Sequence, residues 1–377
     1  MTKKEFGRCI AFLLVVCVTL YLLCDLFELK NTYNYDKRFA TYRKLNENTV
    51  DAVWVGTSGV DRYWIAPKAY EEYGITLFPL SYDSMPMWLY ESMIEEAYTY
   101  QTPQLIIADM RAFGQYNIDA RTLDVRGRRA LDMMDFFSVN RIKTAFTVMQ
   151  IMHETFDEPR FNLSYLLSFI KYHTMWKDDD YLISRHLGSK AHAYMGFHMS
   201  TNVSTLQTPL EINPFDYECY EALDPLAEDT LYALLEYASV NNIELLFVDT
   251  PQCKNEIEMG RSNALMQILE EEGVNYINFC ETDEHGNFIY NMNLDLETDF
   301  YDESHVNYYG AEKFTEIFSA YLEEHYDLPD RRGDNAVQEQ WDGIYDKIKN
   351  RIAKLEKETI LESEELTALE SEELTAE

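Results

Sequence analysis

Two short segments, far apart in the chain, carry residue types that together could perform nucleophilic catalysis. The first is the tripeptide Gly-Thr-Ser at 56–58, which ends an apolar, β-branched run at 49–56. The second is Asp302-x-x-His305, which precedes a segment with helically spaced apolar residues. A serine becomes a nucleophile when an imidazole accepts its proton and a carboxylate orients that imidazole. The two segments therefore predict acyl transfer by Ser58 together with His305 and Asp302.

The residues before Ser58 predict how its hydroxyl is presented. A short apolar run bounded by turn residues is typical of a buried parallel strand. If that strand ends at Gly56, Ser58 lies at the carboxyl edge of the sheet, where open α/β folds place their sites. The N–H of Ser58 could then face a developing oxyanion. The alternative is that Thr57 and Ser58 only cap the following helix, as these residue types often do.

The Asp302-x-x-His305 spacing suits a base and its orienting partner. In such a loop the carboxylate can bond to Nδ1 of the imidazole, which leaves Nε2 to take a proton from a serine. Three other histidines, His186, His192 and His198, recur every six residues with no carboxylate among them. Because that spacing places them on no common helix face, we expect neither a metal site nor a cofactor.

The overall charge limits the classes of partner. The chain has 377 residues and a formal net charge of −34, which would repel the phosphates of a nucleic acid. The same charge argues against docking on an anionic membrane through a basic patch. Beyond the N-terminal apolar run the cysteines are Cys219, Cys253 and Cys280, whose odd number and spacing fit no metal knuckle or disulfide framework. We interpret these three as small hydrophobic residues.

The N-terminus has the composition of a membrane anchor. Residues 9–27 carry no charge until Asp25, and a helix of that length can span a bilayer. Lys3, Lys4 and Arg8 precede the run, which favours a cytoplasmic N-terminus. A cleaved signal peptide is the alternative, but no small-x-small cleavage site follows the run. We expect a single-pass cell-membrane protein whose C-terminal domain is extracytoplasmic.

The expected organisation has five parts. Residues 1–8 form a cytoplasmic tail, 9–27 a transmembrane signal anchor, 28–48 a polar stalk, 49–328 an α/β domain and 329–377 a tail. The tail begins with a helix-like stretch and ends in an exact repeat, LESEELTA, which is strongly acidic. Leucines eight residues apart sustain no buried helix face, so the repeat is expected to be disordered or a loose solvated helix.

Strand-like and helix-like segments alternate through the α/β domain, which predicts a parallel sheet covered on both faces. The predicted strands are 49–56, 75–80, 104–109, 243–249 and 274–279, and the predicted helices are 66–73, 87–101, 223–241 and 256–272. A long insert at about 112–222 separates the two halves, with helical patterns near 138–154 and 160–174. It is either a cover over a substrate site or a packing subdomain.

With Gly-Thr-Ser after its first strand and Asp302-x-x-His305 before its last helix, the chain resembles the SGNH/GDSL hydrolase superfamily. The likeness is greatest to membrane-anchored bacterial members such as the alginate O-acetylation and teichoic acid D-alanylation proteins, and it covers roughly residues 50–110 and 240–325. It implies a flavodoxin-like, three-layer α/β/α fold with a parallel sheet. It also implies Ser58 as nucleophile, His305 as general base and Asp302 as orienting partner.

Two blocks of the superfamily pattern differ here, and both concern the oxyanion hole. The expected glycine after the second strand is replaced within LSYDS at 80–84, so a backbone N–H of Ser81 is the candidate donor. The expected asparagine after the third strand is replaced by DMR at 109–111, which leaves Arg111 as the candidate substitute. Gly56 and Thr57 complete the predicted oxyanion or substrate contacts.

The resemblance implies an extracytoplasmic serine esterase or O-acyltransferase that acts on cell-surface glycan through an acyl-enzyme. The expected partners are a cell-surface polysaccharide or acylated glycan, the membrane through the N-terminal helix, and a membrane acyl-donor protein. The alternative is a non-catalytic relative that binds glycan or scaffolds an envelope complex, retaining the serine and histidine for packing. The incomplete oxyanion blocks favour that alternative.

Overall fold

The structure is a computed structural model of the chain, and it describes residues 1–27, 34–114, 119–177, 194–204, 219–280, 292–295 and 297–358. Within these ranges five parallel strands form the main sheet, in the order β2-β1-β3-β4-β5. They are β1 (Ala52–Gly56), β2 (Leu77–Ser81), β3 (Leu105–Asp109), β4 (Glu244–Asp249) and β5 (Asn275–Asn278). Every residue of β1, β2 and β3 is buried, and successive side chains point to opposite faces, so both faces of the sheet are covered. The predicted α/β class with a parallel sheet is confirmed.

Helices connect and flank these strands. The helices before the insert are α1 (Lys3–Phe27), α2 (Asn34–Tyr42), α3 (Ser58–Asp61), α4 (Ala66–Tyr73), α5 (Tyr90–Tyr100) and α6 (Arg111–Gly114). The insert contributes α7 (Ala120–Met133), α8 (Val139–Phe156) and α9 (Ser168–Tyr172). After it come α10 (Pro225–Asn241), α11 (Glu256–Glu271), α12 (Tyr308–His325), α13 (Asn335–Trp341) and α14 (344–358). A two-stranded antiparallel hairpin, β6 (Phe300–Asp302) and β7 (His305–Val306), precedes α12.

Local signals explain where several helices begin. A proline lies in the first turn of α4, where its fixed φ suits the helix and its missing N–H costs nothing. Helix α11 begins with a capping box: the side chain of Asn255 accepts from the N–H of Glu258, whose carboxylate accepts from the N–H of Asn255. The side chain of Asn307 caps α12, directly after the hairpin, by accepting from the N–H groups of Tyr309 and Gly310.

An aromatic cluster fixes α12 against the first strand. The ring of Trp54 in β1 lies 5.1 Å from that of Phe318 in α12, and Trp64 lies 5.5 Å from the same ring. Tyr63 and Phe314 pack edge to face at 5.5 Å. Because the hairpin leads directly into α12, this packing holds the β6–β7 turn beside the carboxyl end of β1.

The predicted polar stalk is wrong for its second half. Residues 28–33 lie outside the described residues, but α2 follows them, and Phe39 and Tyr42 of α2 are buried in the core. The charged side chain of Arg38 is also buried, because it pairs with the buried carboxylate of Asp61 at 2.7 Å. Segment 37–45 is therefore part of the folded domain.

Helix α1 is long and apolar enough to cross a membrane by length and composition. Its last turns contact the insert. The ring of Tyr21 lies 5.1 Å from Phe137 and 5.5 Å from Phe136, and the carbonyl of Cys24 accepts from the hydroxyl of Ser168 at 3.4 Å. The start of α1 therefore extends away from the domain, while its end lies against the insert.

The insert and the C-terminal segment differ in detail from the prediction. Helix α7 was not predicted, α8 matches the pattern at 138–154, and within 160–174 only short helical turns form. The predicted C-terminal helix is two helices, α13 and α14, which bury Val337, Trp341 and Ile348. The acidic repeat lies outside the described residues.

Candidate active site

The turn after β1 is built around a close approach between β1 and β3. A Cβ on Gly56 would lie 2.2 Å from Cβ of Asp109, so only glycine fits there. The carboxylate of Asp109 accepts the N–H of Thr57 at 2.9 Å and also its hydroxyl. Thr57 in turn caps α3 by accepting from the N–H of Gly59 at 3.1 Å. The capping role considered for the Thr57–Ser58 pair thus belongs to Thr57, and the hydroxyl of Ser58 is left for another partner.

That partner is His305. Oγ of Ser58 lies 2.7 Å from Nε2 of His305, and Nδ1 of the same ring lies 2.8 and 3.0 Å from the two carboxylate oxygens of Asp302. The structure therefore brings together the three residues that the sequence singled out. Their order, hydroxyl to imidazole to carboxylate, is that of a catalytic triad.

Asp302 and His305 lie on a hairpin rather than in an open loop. They face each other as the last residue of β6 and the first of β7, with a two-residue turn between them. The N–H of Ser304 in that turn donates to Asp302 at 2.8 Å, so the carboxylate is fixed from two sides. The imidazole and its orienting group therefore form one rigid unit.

The charges around the triad favour a neutral imidazole and an ionised carboxylate. Burial lowers the pKa of His305, and Arg111 and Arg62 lower it further, against the opposing effect of Asp302. Burial would raise the pKa of Asp302, but its hydrogen bond to His305, the His305 charge and the Ser304 N–H together hold it below its usual range. A neutral imidazole is the form that can accept the proton of Ser58.

Arg111 supports the β6–β7 hairpin by a hydrogen bond to its turn. Its Nη1 donates to the carbonyl of Ser304 at 2.7 Å and its Nη2 to the hydroxyl of Thr250 at 2.9 Å. The hydroxyl of Tyr63 also lies 3.1 Å from the Ser304 carbonyl. A Cβ on Gly59 would lie 2.9 Å from the guanidinium carbon of Arg111, so α3 rests directly on this side chain. Through these bonds Arg111 positions the hairpin that carries His305, and its predicted role at the oxyanion stays a prediction.

Ser81 belongs to a different cluster. It is fully buried at the end of β2, its hydroxyl donates to Asp61 at 3.0 Å, and its carbonyl accepts from Arg38. Arg38 and Asp61 themselves form a buried ion pair. The side chain of Ser81 therefore supports α3 from beneath, and the structure does not bring it to the triad.

The backbone offers one candidate oxyanion donor. Ser58 is the first residue of α3, and its N–H has no acceptor among the described residues, since the caps engage the N–H groups of Thr57 and Gly59 instead. The first N–H groups of a helix have no partner within the helix and carry partial positive charge. Such an N–H can stabilise an oxyanion that forms on a group bonded to Ser58 Oγ.

Two neighbours of the triad were missed by the sequence reasoning. The guanidinium of Arg62, one turn after Ser58, lies over the ring of Tyr301 at 4.7 Å, beside Asp302. His198, near the end of the insert, donates its N–H to the carbonyl of Asp61 at 2.7 Å. Arg62 is only four residues from Ser58, but no motif predicts its place over Tyr301. His198, considered above only for its regular spacing, reaches α3 through a tertiary contact.

The described end of the insert lies beside the site. Besides the contact from His198 to α3, the carbonyl of Ser200 accepts from the N–H of Tyr308 at the start of α12 at 2.7 Å. Of the three regularly spaced histidines, His186 and His192 lie outside the described residues. Within the ranges that are described, no group of three or more histidine, cysteine, aspartate or glutamate side chains could hold a metal ion.

Comparison with known proteins adds no relative. No family model matches the chain, and no similar sequence is found among curated proteins. The chemistry of this protein is therefore inferred from the site geometry and from the residues that form it.

Proposed function

We propose that this protein is an SGNH-type serine esterase or O-acyltransferase, anchored in the cell membrane and acting on cell-surface glycan outside the cytoplasm. One observation carries the proposal: Ser58, His305 and Asp302 are in line at hydrogen-bonding distances of 2.7 and 2.8 Å. An aligned hydroxyl, imidazole and carboxylate activate a serine for attack on an acyl carbonyl.

The sheet topology supports the same assignment. The strand order β2-β1-β3-β4-β5 is that of flavodoxin-like sheets, whose ligands bind beyond the carboxyl ends of the strands. Ser58 lies two residues past the end of β1, at that edge. The fold expected of an SGNH hydrolase has this order and this position for its nucleophile.

The reaction follows from the site. Oγ of Ser58 attacks the carbonyl carbon of an ester as Nε2 of His305 takes its proton, and the Ser58 N–H faces the oxyanion. The intermediate collapses to an acyl-serine, and His305 returns the proton to the departing alcohol oxygen. Water or a sugar hydroxyl then attacks the acyl-serine and loses its proton to His305. The bond from the acyl carbon to Oγ breaks, and His305 returns the proton to Ser58. Asp302 stabilises the imidazolium that forms in both halves.

An extracytoplasmic location accounts for the choice of a glycan substrate. Helix α1 begins with Lys3 and Lys4 and contains Arg8 in its second turn, and positive residues mark the cytoplasmic end of a span. A domain on the outer side of the membrane meets the acylated polymers of the envelope. A membrane acyl-donor protein would supply the acyl group in the transferase form of the reaction.

A glycan-binding or scaffold role without catalysis is the second candidate, and one observation favours it. Arg111 is bonded to Ser304 and Thr250, and DMR stands at 109–111 where the superfamily pattern has an asparagine, so no described side chain is seen to join the Ser58 N–H as an oxyanion donor. Such a protein would bind glycan but would not form an acyl-serine.

Labelling with a fluorophosphonate separates the two candidates. The full-length protein in detergent should react covalently with the probe, and Ser58→Ala should abolish the labelling. Ser239→Ala, which removes an exposed serine on α10, is the matched control and should label as wild type. His305→Ala should reduce the rate of labelling by on the order of 10²-fold or more, because the base is lost.

Two results would contradict the catalytic proposal. The first is the absence of labelling in a wild-type protein whose melting curve shows that it is folded. The second is equal labelling of wild type and Ser58→Ala. Either one would leave the binding role as the better account.

A further inference from the structure

A cavity of about 600 Å³ lies between the loop after β2 and one face of α7. Asp83 and Ser84 line it from the loop, and Arg121, Arg126 and Arg129 line it from the helix. The three arginines recur at spacings of five and three residues, which places them on the same side of α7. In a chain with a net charge of −34, three arginines around one cavity form an unusual cluster of positive side chains.

These arginines differ from their neighbour Arg128. Arg128 is buried and paired with Asp124 at 2.8 Å, so its charge is neutralised within the fold. Arg121 and Arg126 form no ion pair with any described carboxylate. The pKa of Arg126 is lowered by burial and by the charge of Arg129, against the opposing effects of Tyr82 and Asp119. An anion in the cavity would relieve this repulsion.

Two acidic residues, Asp83 and Asp119, line the cavity beside the three arginines and offset only part of their charge. The carboxylate of Asp119 is engaged at the start of α7, where it accepts the N–H of Thr122 at 3.0 Å and its hydroxyl at 2.7 Å. Asp83 offers its backbone carbonyl to Arg129 at 3.4 Å. Two of the three guanidinium groups therefore retain donors for a ligand.

Tyr82 links the cavity to the nucleophile. Its N–H donates to the carbonyl of Gly56 at 3.3 Å, and its phenol donates to the carbonyl of Arg126 at 2.9 Å. Gly56 and Ser81 are paired in register, so Ser58 and Asp83 each lie two residues past neighbouring strand ends. Strand spacing and chain geometry keep their Cα atoms within about 20 Å. One glycan chain can therefore occupy both places.

We propose that this arginine cavity binds a carboxylate or phosphate group of the glycan whose acyl ester reacts at Ser58. The inference rests on the proposed function and adds the substrate class: an anionic polymer rather than a neutral one. Guanidinium groups suit this task because they bind carboxylate and phosphate oxygens in pairs.

Binding of defined oligomers to the full-length protein in detergent tests the proposal. The probes are an oligogalacturonate for carboxylate, a glycerol phosphate oligomer for phosphate and a dextran oligomer as the neutral control. At least one anionic probe should bind ten times more tightly than dextran, and its affinity should fall as salt is added. The probe that binds identifies the source of the anion.

Variants assign the binding to the cavity. Arg126→Gln with Arg129→Gln should weaken the anionic probe at least tenfold, and the same pair changed to lysine should recover part of the loss. Arg351→Gln, on the exposed side of α14, is the matched control and should bind as wild type. Equal affinity for dextran and the anionic probes, or unchanged affinity in the double glutamine variant, would overturn the proposal. Fluorophosphonate labelling of wild-type Ser58, measured separately, reports whether the proposed function itself fails.

A second inference comes from the other side of the insert. Large apolar side chains are exposed from the end of α7 to α9, and they include Phe137 at 75%, Val139 at 69%, Phe161 at 57% and Phe146 at 50% exposure. Contiguous exposed apolar side chains of this size mark an interaction surface. Tyr21 of α1 stacks on Phe137, so this surface continues directly from the end of the apolar helix.

We infer that this apolar surface rests in the outer leaflet of the bilayer that α1 crosses. The continuity with α1 carries the argument, since side chains beside the emerging end of a span lie at the level of the lipid. Apolar contact also suits an acidic protein that cannot use charge to approach an anionic membrane. The domain would then be held at the membrane in one orientation.

Depth-dependent quenching tests the contact in the full-length protein, reconstituted as single copies in lipid nanodiscs. Phe137→Trp should be quenched by brominated acyl chains by at least twofold after subtraction of the wild-type signal. Val240→Trp, at a residue that is 72% exposed on α10, is the control and should stay at the wild-type level. No quenching of the residue 137 reporter, or equal quenching of both, would overturn the inference.

Discussion

At the scale of single residues, the site combines a neutral base with a charged orienting group. Burial and two arginines keep the pKa of His305 low, while Asp302 remains ionised through its bond to the imidazole. The sequence motif predicted the contact between these residues. It could not predict the arginines, because Arg62 and Arg111 reach the imidazole only through the fold.

The pH dependence of the reaction should reflect this balance. His305 must be neutral to accept a proton, so the rate should fall in acid with a midpoint below about 6.5. Asp302 raises the pKa of His305, so Asp302→Asn should move that midpoint to lower pH and reduce the plateau by on the order of 10²–10⁴-fold. The rate of 4-nitrophenyl acetate hydrolysis, measured from pH 4 to 9, checks both. A midpoint that rises in the variant would contradict the assignment.

The buried pair of Arg38 and Asp61 should be important for stability. Burial alone would raise the pKa of Asp61, but Arg38 and His198 hold it well below its usual range. Arg38→Met leaves that carboxylate buried without its partner and should cost about 3–5 kcal/mol in urea unfolding. Lys37→Met removes the neighbouring charge outside this pair and should cost far less.

The same pair gives a pH signature with a defined sign. Because the pKa of Asp61 is lowered on folding, its contribution to stability is complete above its unfolded pKa of about 3.9 and is lost progressively as the pH falls below that value. The difference between wild type and Arg38→Met should therefore shrink in acid. A difference that stayed constant from pH 7 to pH 3 would show that the loss arises from packing alone.

At the scale of elements, the sequence patterns predicted the buried strands correctly. They failed for segments whose structure depends on contacts with distant parts of the chain. All five sheet strands lie within three residues of their predicted bounds, because buried apolar runs are visible in the sequence. Helix α7 was missed because its arginines obscured a narrow buried face of Leu123, Gly127 and Leu131. The stalk was wrong because the charge of Arg38 is neutralised by a residue that no local pattern connects to it.

The C-terminal helices should be required for stability. Val337, Trp341 and Ile348 are buried against the core, and each such side chain contributes roughly 1.5–3 kcal/mol. Truncation after residue 334 should therefore lower the melting temperature by on the order of 10 °C or more. Truncation after residue 358 removes only the acidic repeat region and should change it by no more than about 2 °C. A large drop in the second truncation would mean that the repeats dock on the domain.

At the scale of the whole molecule, the anchor and the domain have a fixed polarity. The positive residues Lys3, Lys4 and Arg8 lie at the far end of α1 from the domain. Protease added to intact protoplasts should therefore remove the domain, while a cytoplasmic marker survives. Protection of the domain until the cells are lysed would reverse the predicted orientation.

Much of the proposed site could be predicted from the sequence. The rest could not, because it depends on packing between distant segments. Ser58, Asp302 and His305 belong to short local motifs, which can be recognised in a single sequence. The oxyanion roles considered for the Ser81 N–H and for Arg111 stay predictions, because the tertiary contacts of these residues could not be predicted from local patterns. Ser81 bonds to Asp61 and Arg111 to the Ser304 carbonyl, and these choices are made by packing between distant segments.

The contact between Ser58 and His305 joins residues 247 positions apart, and this separation affects when the site forms during synthesis and folding. During synthesis the serine emerges long before the hairpin that carries its base, and contacts between distant segments form late in folding. If the chain is exported and catalytic as proposed, Ser58 would have no base to activate it until the hairpin has folded against the sheet. A fluorophosphonate added at intervals during refolding would label only molecules in which the first strand and the last hairpin have met. The labelled fraction would therefore report how fast this contact forms.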